Sequence, residues 1–274
     1  PKLIRNLFGG RIGGPIVKDR FFFFYNYEGM REAKDAAVTR MVPTASLAAG
    51  SIRFDDNTGQ SWTLTTPQIN SFLLSGVPVI DVNPTVVALF ASAASRSPVN
   101  DTTVGDGRNT GGFRFNAPVP VKQNMHTARF DWNVTRDQKH TVSFRGNYQQ
   151  DITGAAPYLP DTPPTNFWSH PFGFAATYTW LVNANLTNRF SYGMTRLAYS
   201  TQGDSNDPAI WLRSVFQPVG FDRAVHRTNP THNFTDDMTW IKGDHTFQFG
   251  TNICLISNKR VTYANSFDQA LTNY

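Results

Sequence analysis

The sequence has no apolar run that could cross a membrane as a helix, since such a helix needs about 20 consecutive apolar residues. Its densest apolar runs, Phe21 to Tyr25 and Val77 to Ile80, are far shorter. Paired cysteines are lacking too, because Cys254 is the single cysteine. The chain can therefore form neither an internal disulfide nor a zinc site of the paired-cysteine kind.

Charge is also scarce. Charged residues make up 16% of the chain, whereas hydrophobic residues make up 40% and aromatic residues 14%. Globular domains are typically about one quarter charged, so this balance indicates a surface that does not face water everywhere. The net charge of +5 comes from single Lys and Arg residues scattered among acids. Without a basic block or a basic helix, the sequence predicts no nucleic-acid partner.

Sequence signatures of enzymes are missing as well. There is no Gly-Lys-Ser/Thr phosphate loop, no Gly-x-Ser-x-Gly elbow and no His-Glu-x-x-His zinc motif. The six histidines do not pair on one strand face, and 101–112 lacks the alternating oxygen ligands of a calcium loop. We therefore predict no catalytic, cofactor-binding or metal-binding residue, and no enzyme activity.

What the sequence does contain is an alternation of apolar and polar residues with a period of two, which is typical of half-buried β-strands. From His126 to Val134 the even positions are mostly apolar or aromatic, and the odd positions are polar. The pattern resumes from Val142 to Gln149 after a turn at 135–139. These two segments predict a β-hairpin.

The same plan recurs, which predicts about eight strands in four pairs at 7–30, 123–150, 170–200 and 232–262. Turns of about four residues join the strands within each pair. Longer stretches at 31–122, 151–169 and 201–231 separate the pairs. Since only a closed barrel can span a membrane with strands, the predicted fold is all-β, an antiparallel up-and-down transmembrane β-barrel segment.

In such barrels the short turns are periplasmic and the long loops extracellular. The longest loop, 31–122, contains two prolines that follow plausible N-caps, Pro67 and Pro84. They predict short helices ending near Gly76 and Pro98. Residues 105–112, which include four glycines, predict a turn that leads back to the sheet.

Three local patterns resemble a known family. They are Arg5-Asn6-Leu7-Phe8-Gly9-Gly10-Arg11-Ile12-Gly13-Gly14-Pro15-Ile16-Val17-Lys18-Asp19-Arg20-Phe21-Phe22-Phe23-Phe24 with Tyr27-Glu28-Gly29; Val42-Pro43-Thr44-Ala45-Ser46 with Ala49-Gly50; and Gly105-Asp106-Gly107 with Asn109-Thr110-Gly111-Gly112-Phe113-Arg114-Phe115. Together they resemble TonB-dependent outer-membrane receptors of the Oar-like kind. The likeness continues, more weakly, through the later hairpins.

This resemblance implies a 22-stranded barrel filled by an N-terminal plug domain, a size known for plugged transporters. Residues 1–274 would then be a partial barrel domain, about the second to ninth strands, without the plug. The implied function is uptake of a scarce nutrient across the bacterial outer membrane. The implied partners are outer-membrane lipid, the missing plug, a TonB-type energy-transducing protein that acts through the missing N-terminal region, and a small-molecule or oligomeric nutrient of unknown identity.

The candidate functional residues occupy the alternate strand positions whose side chains are expected to point away from lipid. They are Arg129, Asp131, Arg145, Asn147, Gln149 and Arg189. They either contact the plug and line the permeation path, or serve only as hydrated lumen residues with cross-strand ion pairs.

Two other functions stay open from the sequence. One is a soluble all-β binding module or secreted adhesin, and the other is an outer-membrane adhesion or surface protein that transports nothing. A soluble sandwich would bury its aromatic residues between two sheets, whereas a barrel segment would form one curved sheet with aromatic residues on its convex side.

Overall fold

The computed structural model describes residues 3–71, 81–162, 164–202, 209–212, 225–262 and 269–272. It contains short helices and many β-strands. In chain order the elements are β1 Leu3–Val17, β2 Phe21–Pro43, α1 Ala45–Ala48, β3 Ile52–Asp55, β4 Ser61–Leu64, α2 Thr66–Asn70, α3 Pro84–Arg96, β5 Thr110–Pro118, β6 Val121–Asn133, β7 His140–Gly154, β8 Asn166–Ser169, β9 Phe172–Asn183, β10 Leu186–Gln202, β11 Ala209–Leu212, β12 Val225–Lys242, β13 His245–Ile256, β14 Lys259–Thr262 and β15 Gln269–Thr272.

One antiparallel sheet dominates the molecule. Its long strands follow the order β1, β2, β6, β7, β9, β10, β12 and β13, so each pairs with its neighbour in this series. The short strands β5, β8 and β14 extend it at the end opposite the short turns. The prediction of an all-β, antiparallel, up-and-down arrangement is therefore confirmed.

Three of the four short turns within the pairs contain a residue with a left-handed backbone. Asp19 has a φ of 60°, Gln138 a φ of 58° and Gly243 a φ of 58°. Asp and Gly are among the residues that adopt this conformation most easily. Each of the four predicted strand pairs is an antiparallel hairpin whose strands are joined by a short turn, as the sequence predicts.

The pairing register shifts steadily from strand to strand, so that paired residues lie progressively further from the short turns. A row of paired residues starts at Phe21, directly after the first turn, and passes through Trp132, Val142 and Tyr178. It ends at Thr251, seven residues after the end of the last turn. This stagger of about one residue per strand is the shear that tilted strands of a barrel wall require.

β12 begins at Val225 rather than at the predicted residue 232, and the largest difference from the predicted strand boundaries lies at the first long loop. β2 does not end near residue 30 but runs to Pro43, and its last nine residues pair with β5. The irregular part of 31–122 is therefore shorter than predicted. Residues 33–37 lack a clear alternation because they include Ala33, Ala36 and Ala37, so the strand is defined by its partner rather than by its own pattern.

The remaining part of this loop folds into a small cap at the end of the sheet opposite the short turns. α2 and α3 begin around Pro67 and Pro84 as predicted, with Thr65 and Asn83 as N-caps. α3 ends at Arg96, near the predicted Pro98, whereas α2 ends at Asn70, earlier than the predicted end near Gly76, which itself lies outside the described residues. None of the described helices has the length and apolarity needed to cross a membrane.

A compact apolar core holds the cap to the sheet. It joins Val42 of β2, Ala48 of α1, Phe90 and Ala93 of α3, and Leu159 from the connection after β7. Val42, Ala93 and Leu159 are completely buried. The largest enclosed core in the described part of the chain therefore lies outside the hairpin pairs, and the long strands contribute little to it.

Candidate functional site

The sheet has two chemically different faces. The face that we call the aromatic face carries the large apolar side chains of every hairpin pair. It includes Phe8, Ile12, Phe23, Tyr25, Phe130, Trp132, Phe144, Tyr148, Phe174, Tyr178, Trp180, Phe190, Tyr192, Phe234, Trp240, Phe247, Phe249 and Ile253. One row of paired residues runs Phe23, Phe130, Phe144, Ala176, Tyr192, Phe234, Ile253, which makes the band continuous across seven strands.

Nothing in the described chain covers the aromatic face. Trp132 is 44% exposed, Phe190 44% and Phe249 54%. A water-soluble protein rarely leaves so large a contiguous apolar patch uncovered. Two sheets packed face to face would bury these side chains, so the geometry argues against the soluble sandwich and favours contact with lipid.

Histidine and tyrosine pairs sit within the aromatic face. The Tyr25 hydroxyl lies 2.7 Å from Nδ1 of His126, and the Tyr178 hydroxyl lies 2.7 Å from Nδ1 of His140. Tyr192 and His232 form a third pair at 2.9 Å. These three histidines therefore bond to neighbouring side chains. Within the described residues there is no group of His, Cys, Asp and Glu able to hold a metal ion.

The opposite face, which we call the polar face, carries all six candidate residues. Arg129 and Asp131 project from β6, whereas Arg145, Asn147 and Gln149 project from β7. Arg189 projects from β10 on the same side. The parity prediction therefore groups them on one surface, although Phe22 and Phe24 also lie on that face, opposite Asp131 and Arg129.

Contacts on the polar face form pairs along and across strands. The Arg129 guanidinium binds the Asp131 carboxylate through two hydrogen bonds of 2.8 and 3.0 Å. Arg145 lies directly opposite Arg129. Among the described residues, the Asp131 carboxylate is the one acidic group that forms an ion pair with either arginine, and it bonds to Arg129. Like charges opposite each other are unfavourable, so this position favours an anionic or strongly hydrated neighbour in the space beside the sheet.

The other candidates have neutral or acidic neighbours. Asn147 lies opposite Thr127, and Arg189 lies opposite Asp237. Gln149 donates through Nε2 to the Asp151 carboxylate at 2.5 Å. The structure thus brings Arg129, Asp131 and Arg145 together, while Arg189 on β10 lies three strands away from Arg129 on β6 in the sheet order.

Sequence reasoning missed several polar-face residues. Glu32 is buried between Arg5, at 2.5 Å, and Lys34, at 3.2 Å. Asp237 and Asp151 also lie on this face. Glu32 and Asp151 could have been found by continuing the alternation beyond the predicted strand ends, whereas Asp237 lies inside the predicted pair 232–262.

The cap contains an open pocket of about 550 Å³. Its apolar wall is formed by Met41, Leu47, Ile52 and Phe90, and its polar rim includes Asp106 and Asn109. Burial of Asp106 raises the pKa of its carboxyl, but hydrogen bonds from the backbone N–H groups of Thr110, Arg108 and Asn109 outweigh burial and lower the pKa to about 2. Asp106 is thus ionised at neutral pH and fixes the loop that forms the rim.

Comparison with known proteins agrees with this architecture. The model of the outer membrane beta barrel domain family matches residues 1–273. Searches of the curated proteins and of the solved structures give no match. The family match places the protein in the bacterial outer membrane. The chain belongs to the outer membrane beta barrel domain family.

Proposed function

We propose that this protein takes up a scarce nutrient through a plugged β-barrel in a TonB-dependent manner, with this chain forming part of the barrel wall. The observation that carries the proposal is the polar face, where arginines, carboxylates and amides cover the side opposite the lipid-facing aromatics. A small barrel fills its interior with side chains, whereas a wide one leaves a polar lumen. The Oar-like patterns between Arg5 and Phe115 support the same function.

The two outer strands support a barrel larger than this sheet. In the described residues, β1 pairs with β2 alone and β13 with β12 alone. Their free edges expose backbone N–H and C=O groups, which need partners within a membrane. Further strands on both sides satisfy them in a 22-stranded barrel, and the plug occupies the space beside the polar face.

The proposal includes no bond chemistry and no cofactor. Substrate first meets the extracellular cap, whose pocket combines apolar walls with a polar rim. It then passes the polar face when the plug moves, driven by a TonB-type protein in the periplasm. Arg129 and Arg145 are the residues on this path that we expect to contact the plug or the passing nutrient.

The test uses the complete gene in its own bacterium. We expect a plug-encoding region upstream of Pro1, and a growth defect on one limiting nutrient when the gene is deleted. Deletion of the energy-transducing partner should produce the same defect. Arg145→Gln in the complete protein should reduce uptake, whereas Gln248→Ala, on the polar side of β13, should not. An unchanged growth rate on iron chelates, sugars, peptides and vitamins would contradict transport.

The folded cap favours one second candidate, an outer-membrane adhesion protein. Its buried core of Val42, Phe90 and Leu159 gives the extracellular side a defined shape that could bind a surface. In that case deletion would impair attachment of cells and leave uptake of every nutrient unchanged.

A further inference from the structure

Two cations face the lipid at the extracellular boundary of the membrane. Arg31 of β2 and Lys122 of β6 are paired directly opposite each other in the sheet. Both have the parity of the aromatic face, because Tyr27 and His126 form a pair four residues away on the same side. Lys122 is exposed, and Arg31 is partly exposed.

Their height can be estimated from the strand geometry. Arg31 follows Phe21 by ten residues, and Lys122 precedes Trp132 by ten. At about 3.3 Å per residue and a tilt of about 40°, this spacing corresponds to roughly 25 Å along the membrane normal. The apolar band of an outer-membrane barrel is also about 25 Å tall. The two cations therefore lie at the upper edge of the band, where lipid headgroups begin.

Arg31 is held in place by its neighbours. Its Nη1 donates to the carbonyl oxygens of Met30 and Gln123, both at 2.8 Å, and its Nη2 donates to Oδ1 of Asn124 at 2.8 Å. The Tyr27 hydroxyl donates to the same Asn124 oxygen at 2.9 Å. The guanidinium also stacks over Phe8, 5.3 Å from the ring centre. A fixed guanidinium loses little conformational freedom when it binds an anion.

No carboxylate neutralises this pair in the described residues. Glu32 points to the polar face, where it bonds with Arg5 and Lys34. Asp35 has the outward parity, but it lies opposite Pro118, further into the cap, and forms no ion pair in the described residues. Two like charges held opposite each other are unfavourable without a counterion.

We propose that Arg31 and Lys122 bind the phosphate of an anionic lipid in the outer leaflet. The planar guanidinium and the flexible ammonium can share one phosphate group. Phe8, Tyr27 and His126 lie directly below and provide contact for the upper part of the acyl chains. The site belongs to the outer surface of the barrel wall, so it does not depend on transport.

The test measures lipid binding to the complete protein in neutral detergent by native mass spectrometry. The probes are lipid A with two phosphates, the same lipid after removal of its phosphates, and inorganic phosphate. We expect retention of the phosphorylated lipid alone. Arg31→Gln with Lys122→Gln should weaken its binding about 25-fold, since each cation near a lipid surface contributes about fivefold.

The matched control removes the same charges at the periplasmic turns, where Lys18 and Arg136 are exposed. Lys18→Gln with Arg136→Gln should bind the phosphorylated lipid as the unchanged protein does. Lys122→Gln alone, at an exposed position, keeps the test valid if the double variant fails to fold, and should weaken binding about fivefold. Equal binding by all variants would overturn the proposal, and displacement of the lipid by inorganic phosphate would overturn the choice of a lipid.

Discussion

At the scale of single residues, the alternation of the two faces explains most of the polar contacts, and Asp236 is one of the exceptions. It carries a carboxylate on the aromatic face, opposite Phe190 and Thr251. Asn188 donates to it through Nδ2 at 2.8 Å, on the same face. A charge at this depth in the membrane is unfavourable even with one hydrogen bond, because the surrounding lipid offers no other donors.

We therefore predict that Asp236→Asn stabilises the protein in lipid vesicles by about 1 kcal/mol. The amide keeps an oxygen that can accept from Asn188, but it carries no charge. Urea unfolding of the complete protein from vesicles measures the change. Asp237→Asn is the control, since Asp237 lies on the polar face and its replacement should not stabilise. Equal gains from both variants would contradict the assignment of the two faces.

A second residue-scale prediction concerns Asp106 in the cap. The fold lowers the pKa of this carboxyl from 3.8 to about 2, so the ionised form is the one that the loop stabilises. Its stabilising effect is complete above about pH 4 and is lost as the pH falls through about 2. Asp106→Asn should remove the effect.

Pepsin cleavage within the cap can measure this dependence. We expect the Asp106→Asn protein to be cut faster than the unchanged protein at pH 4, and the ratio of the two rates to approach one near pH 2. Taking the ratio cancels the pH dependence of pepsin itself. A ratio that stays constant from pH 4 to pH 2 would show that the carboxylate does not hold the loop.

At the scale of elements, the strength of the period-two signal decided what could be predicted. The hairpin of β6 and β7 follows from the alternation around Phe130 and Phe144, because one face meets lipid and the other water. The extension of β2 to Pro43 did not follow, since alanines and isolated charges carry no alternation there. The short strand β8 was missed because it continues β9 across a break in the ladder, whereas β14 lies within the predicted pair 232–262.

The first hairpin offers an element-scale prediction. The Phe8 ring lies over Gly29 in the paired strand, and a Cβ at Gly29 would come within 2.6 Å of ring atoms. Gly29→Ala should displace the ring from its position beside Arg31 and cost about 1 kcal/mol of unfolding free energy. A Cβ at Gly10 meets no atom within 4 Å, so Gly10→Ala is a matched control that should cost less. Urea unfolding compares the two, and equal effects would contradict this packing.

At the scale of the whole molecule, membrane location follows from how the two faces are distributed. The sequence predicted one sheet, its antiparallel order and the common parity of Arg129, Arg145 and Arg189. It did not predict the cap core, because Val42, Phe90 and Leu159 come from three distant segments with no shared pattern. The lipid-facing pair of Arg31 and Lys122 was also missed, since cross-strand register cannot be read from either segment alone.

Spin labels placed one at a time on residues 143–149 of β7 test the assignment of the two faces most directly. The complete protein carries Cys254→Ser and is reconstituted in lipid vesicles. We predict that oxygen, which concentrates in lipid, collides most often with labels at Phe144, Gly146 and Tyr148. A water-soluble nickel complex should collide most often with labels at Ser143, Arg145, Asn147 and Gln149. Equal accessibility at both parities, or the opposite phase, would contradict the account.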